Sequence, residues 1–454
     1  MCSFSEDDKI KSFPVAIGMN TFFSLILNVM MLFFLMAFCG SCKKNISQSY
    51  SKFRVQPLNY IGHSFVQPIK LSNGNFVTMA QDSDPDSSDY RIDIAEYDGK
   101  SNLVFQKKYP FTSSREIAYG IPFGTGFLVA GVTSDSKHFF IVMFDANANK
   151  IWDQLFLPTS ANKEITSVAC CVGMDGNIIL AGGQDAVTKA FPGQTSIDTP
   201  FISKINPANG ALINNPANIT GVDTNLQCWV TSVYESNDSV YISGFYFYSG
   251  ATALDFGSLF CLKTLENGNT QWFYSAPHPP ANSSVIGNPY IMGFNIAETN
   301  TGPIVIATTN APGFSVGEDY FNNYFYSMIG YTTIFSFDPA TGSKLDSATF
   351  GNEKTEFPFI HPTNDGGFII ATTANNFLNS LTTPTIMQFT KTDAKLNIQW
   401  QKTYNPDGNN YVILGLIPLS DGYEVIGQKN SITNNKPYTG TFFLQIDLQG
   451  NIAD

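Results

Sequence analysis

The chain has 454 residues, 43% hydrophobic, 14% aromatic and only 14% charged, with a formal net charge of −12. An acidic chain without clustered Lys and Arg excludes a nucleic-acid surface, because phosphate contacts need basic clusters. Few charges, 39 Phe, 20 Tyr, and 36 Gly and 24 Pro spread along the chain favour an all-β fold with many tight turns over a helical one.

Lys9 and Lys11 precede an apolar run from Phe22 to Phe38, which leads into Gly40-Ser41-Cys42 and then Lys43 and Lys44. A basic stretch, an apolar stretch and small residues before a cut are the parts of a secretory signal. A Cys after two small residues resembles the bacterial lipobox, in which that Cys is diacylated and becomes the first residue of the mature chain. Cys39 departs from the pattern, standing where Leu is usual. The resemblance implies a signal peptide over 1–42, lipidation of Cys42, a tether over 43–50 and a body held at a membrane. Lys43, in place of the Asp associated with inner-membrane retention, implies the outer membrane of a bacterial envelope, on either side. An uncleaved transmembrane anchor is the alternative, although 17 apolar-dominated residues fall short of the about 20 that span a bilayer. A start at Met19 would remove the basic stretch.

Beyond residue 50 the chain repeats itself. Around Asp365 it reads as an apolar stretch, a turn at Asp365-Gly366, the run Phe368–Thr373, a polar loop, the run Ile386–Thr390, then Asp393 and Trp400. Each run has strand length and is bounded by turn residues, so one unit holds four strands, a to d. The turn between a and b recurs at Asn73-Gly74, Gly124-Thr125-Gly126, Asp175-Gly176, Asn237-Asp238, Asn300-Thr301-Gly302, Asp365-Gly366 and Asp421-Gly422, which defines units 1 to 7. Such pairs tolerate the positive φ of tight hairpins. Asp98, Asp145, Asn206, Asp338, Asp393 and Asp447 mark the turn between c and d. Seven residues beyond the first five stand Phe105, Trp152, Ile213, Leu345 and Trp400, with Trp272 at the matching place in unit 4. A large apolar residue there is expected to pack on the next unit.

Four-stranded units repeated seven times predict an all-β, seven-bladed β-propeller over 51–454. The Asp-Gly-Gly-aromatic and Asp-x-x-Gly-x-x-x-Trp patterns resemble the repeats of bacterial lipoprotein propellers, which overlap with quinoprotein-like repeats. Unit 7 ends at Asp454, where its strand d should begin. An amino-terminal strand over 51–58 is expected to complete that blade and close the ring, with Phe53 standing where Trp400 stands in unit 6. Closure removes open strand edges.

Gly313-Phe314-Ser315-Val316-Gly317 matches the G-x-S-x-G nucleophile motif. That motif works on a strand-to-helix turn, which β repeats do not supply. Adjacent Cys170 and Cys171 occur in some quinoprotein dehydrogenases as a disulfide beside the cofactor; two small residues on opposite faces of strand a is the plainer reading. Cys228 and Cys261 are expected to be buried thiols, with a disulfide between them as the alternative. Asp82, Asp84, Asp86 and Asp89 lack the Gly and distal Glu of a calcium loop and read as a solvated turn. No catalytic residue, metal or cofactor is assigned.

The b–c connections near 184–200, 245–257, 310–332, 374–384 and 428–440 are long, and long loops on one face of a scaffold are where binding resides. Two are aromatic. Phe245, Tyr246, Phe247 and Tyr248 lie at the b–c junction of unit 4, and Tyr320, Phe321, Tyr324 and Tyr326 in that of unit 5. Tyr pairs an apolar face with a polar tip, which suits a glycan or a protein partner. The expected function is a non-enzymatic envelope lipoprotein that binds such a ligand on this face. The alternatives are a structural scaffold in an envelope complex and, well behind, a quinoprotein-like enzyme.

Overall fold

In unit 3, Ile178 and Leu180 pack toward unit 2, while Ile179 and Ala181 pack toward unit 4. Successive side chains of a strand point to opposite faces, so an unbroken apolar run makes a strand buried on both sides. The computed structural model describes residues 53–57, 66–82, 91–111, 115–133, 135–158, 163–186, 200–222, 226–237, 239–248, 259–275, 290–298, 304–311, 314–318, 324–328, 330–374, 385–433 and 436–452. Packing divides the chain into Met1–Ser49 and Tyr50–Asp454, and the described strands belong to the second part.

The structure is all-β, a propeller-like arrangement of small antiparallel sheets, most of them four-stranded. Unit 1 pairs Ile69–Lys70, Phe76–Asp82, Arg91–Tyr97 and Leu103–Pro110 in that order. Unit 2 pairs Arg115–Phe123, Gly126–Thr133, Phe139–Phe144 and Lys150–Phe156. Unit 3 pairs Lys163–Val172, Ile178–Ala186, Phe201–Ile205 and Leu212–Asn218. Unit 4 pairs Leu226–Ser236, Ser239–Tyr248, Leu259–Thr264 and Thr270–Ser275. In unit 7, Asn410–Pro418, Gly422–Thr433 and Lys436–Asp447 take Phe53–Pro57 as their fourth strand. Strand a carries a bulge in each of units 2 to 7, which bends it.

Units 5 and 6 depart from the expected count of seven separate sheets. Among the described residues they form one seven-stranded sheet, which with the five four-stranded sheets makes six and not seven, the two-stranded ribbon of unit 5 aside. The cause is Lys344–Pro362, a single 19-residue strand that serves as strand d of unit 5 and strand a of unit 6. The crossing is made in extended backbone, and Thr355 is paired both to Gly330 and to Ala374.

Apolar clusters link consecutive units. They join unit 1 to 2, 2 to 3, 3 to 4 and 4 to 5. They continue from 5 to 6 and 6 to 7, and the last, with Phe76, Tyr97, Ile426 and Phe443, joins unit 7 to unit 1. Tyr119 in strand a of unit 2 packs on the cluster between units 3 and 4 as well as on that between units 2 and 3. That reach across unit 3 is open to strands that line a common centre.

The recurrent Asp of the c–d turn is a backbone cap. In Asp98, Asp145, Asp393 and Asp447 one carboxylate oxygen accepts the N–H of the residues two and four positions on. The other oxygen accepts from the side chain of Asn102, Asn149, Asn397 or Asn451. These bonds satisfy turn donors that would otherwise lack partners.

This turn also corrects the strand-d alignment. It closes on Asn102 or Asn149 in units 1 and 2, but on Ala211 and Ser343 in units 3 and 5, one residue later. A uniform count of seven therefore picks the wrong face there, and Ile213 and Leu345 are 51% and 55% exposed. Register gives the true equivalents. Phe105, Trp152, Trp272 and Trp400 pair with Glu96, Met143, Lys263 and Lys391, and the same place is held by Asn214 and Asp346 in units 3 and 5. The three Trp do pack on the next unit. Trp152 Nε1 donates to Pro207 O at 2.8 Å and Trp272 Nε1 to Pro339 O at 3.0 Å. Each indole lies on a turn glycine with φ from +72° to +75°, where a Cβ on Gly210, Gly342 or Gly450 would fall within 2.7 Å of the ring.

The amino-terminal strand pairs with the last one as expected, but Phe53 does not stand where Trp400 does. Phe53 pairs with Leu444, three residues before Asp447, whereas Trp400 pairs with Lys391, two before Asp393. One residue of register turns a side chain to the other face. Phe53 accordingly packs on Tyr411 and Phe442, with ring centroids 5.5 and 6.1 Å apart, on the side toward unit 6.

Candidate functional site

The aromatic residues expected on loops lie in part on strands. Phe245–Tyr248 are the end of strand b of unit 4 and pair with Leu226–Trp229. Among the described residues strand c pairs with strand b as far as Phe245, and 246–248 pair with 226–228. In unit 5 the connection folds into a two-stranded ribbon, Phe314–Glu318 against Tyr324–Met328, which holds Tyr324 and Tyr326. The connection of unit 7 is likewise a hairpin, Lys429–Thr433 against Lys436–Gly440. Loop length in these units was thus partly ribbon, because β-rich sequence continues the ladder. Tyr320, Phe321 and Cys42 lie outside the described residues, as do Asp84, Asp86 and Asp89. Ser315 sits in the unit 5 ribbon opposite Ser327, and a ribbon is not a nucleophile elbow.

The four described cysteines, Cys170, Cys171, Cys228 and Cys261, are free thiols. Cys170 packs toward unit 2 and Cys171 toward unit 4, on opposite faces of strand a. Burial, and then the nearby Glu235, push the Cys171 thiol up to about 12. Cys228 and Cys261 are both buried and free, so the alternative disulfide is not formed.

A charged cleft of about 450 Å³ opens on the opposite face, where unit 3 meets unit 4. Unit 3 supplies Met174 and Asp175 from its a–b turn and Lys204 from strand c; unit 4 supplies Glu235 from strand a and Leu265, Glu266 and Asn267 from its c–d turn. Lys204 Nζ is 2.7 Å from Asp175 Oδ2 and also bonds Glu266 Oε1. Glu235 accepts the N–H of Met174. The Lys204 bond draws the Asp175 carboxyl down to about 2. Burial raises the Glu235 carboxyl, and the neighbouring Glu266 adds to that shift. The cleft offers hydrogen-bond donors and acceptors to a polar ligand. Among the described residues no group of His, Cys, Asp and Glu is placed to hold a metal.

Sequence reading missed this cleft, and the signal for it lay in the repeat. Lys204, Lys263 and Lys391 each stand two places before the residue that opens the c–d turn. Lys391 Nζ reaches Asp365 at 2.8 Å as Lys204 reaches Asp175.

No protein-family model matches the sequence, and no curated protein matches it. Among solved structures, a polysaccharide lyase is 9% identical with a TM-score of 0.48, covering 86% of this chain and 92% of its own. A putative 6-phosphogluconolactonase from Bacteroides uniformis is 12% identical with a TM-score of 0.47, covering 76% and 86%. The GH93 α-L-arabinofuranosidase of Fusarium graminearum is 12% identical with a TM-score of 0.39, covering 83% and 91%. Likeness at this level is to general form and carries no activity across.

Proposed function

We propose that this chain is a tethered binding protein of the bacterial cell envelope that holds a glycan or protein ligand on its b–c side, without catalysis. The observation that carries the reading is the paired aromatic stretch in unit 4. Positions 245–248 lie on backbone paired with 226–229. The ribbon of unit 5 holds Tyr324 and Tyr326 two positions apart. Aromatic residues on paired strands are held with less freedom than on a loop, so ordering them on a ligand costs less. The ribbon setting of Ser315 supports a non-catalytic reading.

The finer architecture belongs to the same proposal. The seven units stand as seven blades of a closed ring of the bacterial lipoprotein type, a reading supported by the clusters that join each unit to the next and unit 7 to unit 1. The chain is held by acylated Cys42 at the outer membrane. Two or three acyl chains anchor a protein stably where one does not. Cys42→Ala is expected to leave unprocessed precursor without incorporated fatty acid. Normal acyl labelling in that variant would move the anchor to Cys39 or to an uncleaved helix.

The ligand-binding claim is tested by applying the purified full chain to a glycan array and to envelope extract. Tyr246→Ala, Tyr248→Ala and Tyr324→Ala should each weaken capture roughly thirtyfold, the cost of losing a hot-spot aromatic, with melting temperature kept. Capture unchanged in all three would place the site elsewhere, and loss of folding would make these rings packing residues.

A further inference from the structure

We infer that the cleft between units 3 and 4 is a second binding site, separate from the ribbons, for a neutral sugar of one or two rings. The junctions from unit 2 to 3 and from 4 to 5 are filled the same way. An indole from strand d of the first unit lies on the turn glycine of the second and donates to the carbonyl one place into that turn. Trp400 lies on Gly450 at the junction from 6 to 7. At the junction from 3 to 4 the residue in that register is Asn214, across the ladder from Lys204. Its side chain reaches the equivalent carbonyl, Glu266 O, at 3.5 Å. The turn contact is kept while the bulk of the indole is gone, and the cleft lies beside it.

The lining of that space is not what a mere packing defect would carry. A defect left by a lost indole would be apolar and dry. This one holds Asp175, Lys204, Glu235, Glu266 and Asn267 with Met174, which is 68% exposed. Its volume falls in the range of small-molecule sites, roughly 300–1,000 Å³. Lys204 pairs with both Asp175 and Glu266, and burial shifts Glu235 toward its neutral form, so the floor carries less net charge than its three carboxyls alone would give. It still presents donors and acceptors on planar side chains. A ring with hydroxyls at its edge and C–H groups on its face matches such a floor with an apolar wall at Met174. An anion would meet three carboxyl groups, and a cation would compete with Lys204.

The test uses the purified full chain on an array of neutral mono- and disaccharides, followed by titration of the strongest binder. Asn214→Trp restores the residue that the repeat carries elsewhere and should fill the cleft, weakening that binder at least about tenfold while melting temperature holds or rises. Met174→Ala, at an exposed position, should weaken it about threefold and guards against misfolding of the first variant. Tyr246→Ala should leave this binder untouched. The proposal falls if no neutral sugar binds, or if binding survives both cleft variants. Loss in Tyr246→Ala with retention in Asn214→Trp would uphold the ribbon site and overturn this one.

Discussion

Deleting residues 43–58 should give a protein that aggregates, or that melts roughly 5–10 °C below the parent. Phe53–Pro57 pairs over five residues with Gly440–Leu444, the outermost other strand of unit 7. Without it the edge of that strand is bare along fully buried Phe442, Phe443 and Leu444. A bare edge is a template for pairing with another chain. Phe53→Ala in the full chain separates the two contributions, since it keeps the ladder and removes the ring contacts with Tyr411 and Phe442. It should cost about 2 kcal/mol, below the full core value because Phe53 is only half-buried. Differential scanning calorimetry and light scattering read both effects. A truncated protein that stays monomeric and melts with its parent would show that the last sheet needs no fourth strand.

How far the sequence reached is clearest at particular residues. The a–b turns at Asn73-Gly74, Asp175-Gly176, Asp365-Gly366 and Asp421-Gly422, the strand-length apolar runs and the pairing of the amino-terminal strand were legible, because Asp-Gly and Asn-Gly pairs and unbroken β-rich runs are local signals. Ile213 and Leu345 were misread because one added turn residue reverses the face of everything after it, and no local signal fixes that register. Asn102, Asn149, Asn397 and Asn451 were visible but unread; Asp with Asn four places on is the cap that explains the recurrent Asp. The join of units 5 and 6 at Thr355 depends on hydrogen bonds to two neighbours at once, which composition does not encode. The cleft was hidden for a related reason. Asp175, Lys204, Glu235 and Glu266 span 92 positions of sequence, and only the stacking of unit 4 on unit 3 brings them together.

The repeat's tryptophans should prove the strongest single contributions to the fold. Trp152 and Trp272 are 9% and 7% exposed, each at a junction between units. Trp152→Ala and Trp272→Ala should each cost about 3–5 kcal/mol, measured by chemical unfolding. Trp152→Phe keeps most of the bulk and loses the hydrogen bond to Pro207 O, so it should cost about 1–2 kcal/mol. The two alanine changes sit at different junctions without shared partners and should add within about 0.5 kcal/mol. Gly210 supplies the sharper test. At φ +73° any side chain is strained, and a Cβ there would sit 2.7 Å from the Trp152 ring. Gly210→Ala should therefore destabilise by more than the roughly 1 kcal/mol of backbone strain alone. In the double variant with Trp152→Ala the indole's part of the clash disappears and the contact with Gln154 Cγ at 2.7 Å remains, so the combined loss should fall short of the sum by about 1 kcal/mol. Strict additivity of that pair would mean the indole does not press on this turn. The role given to Trp152, and with it the account of Asn214 as a vacated indole position, would then be wrong.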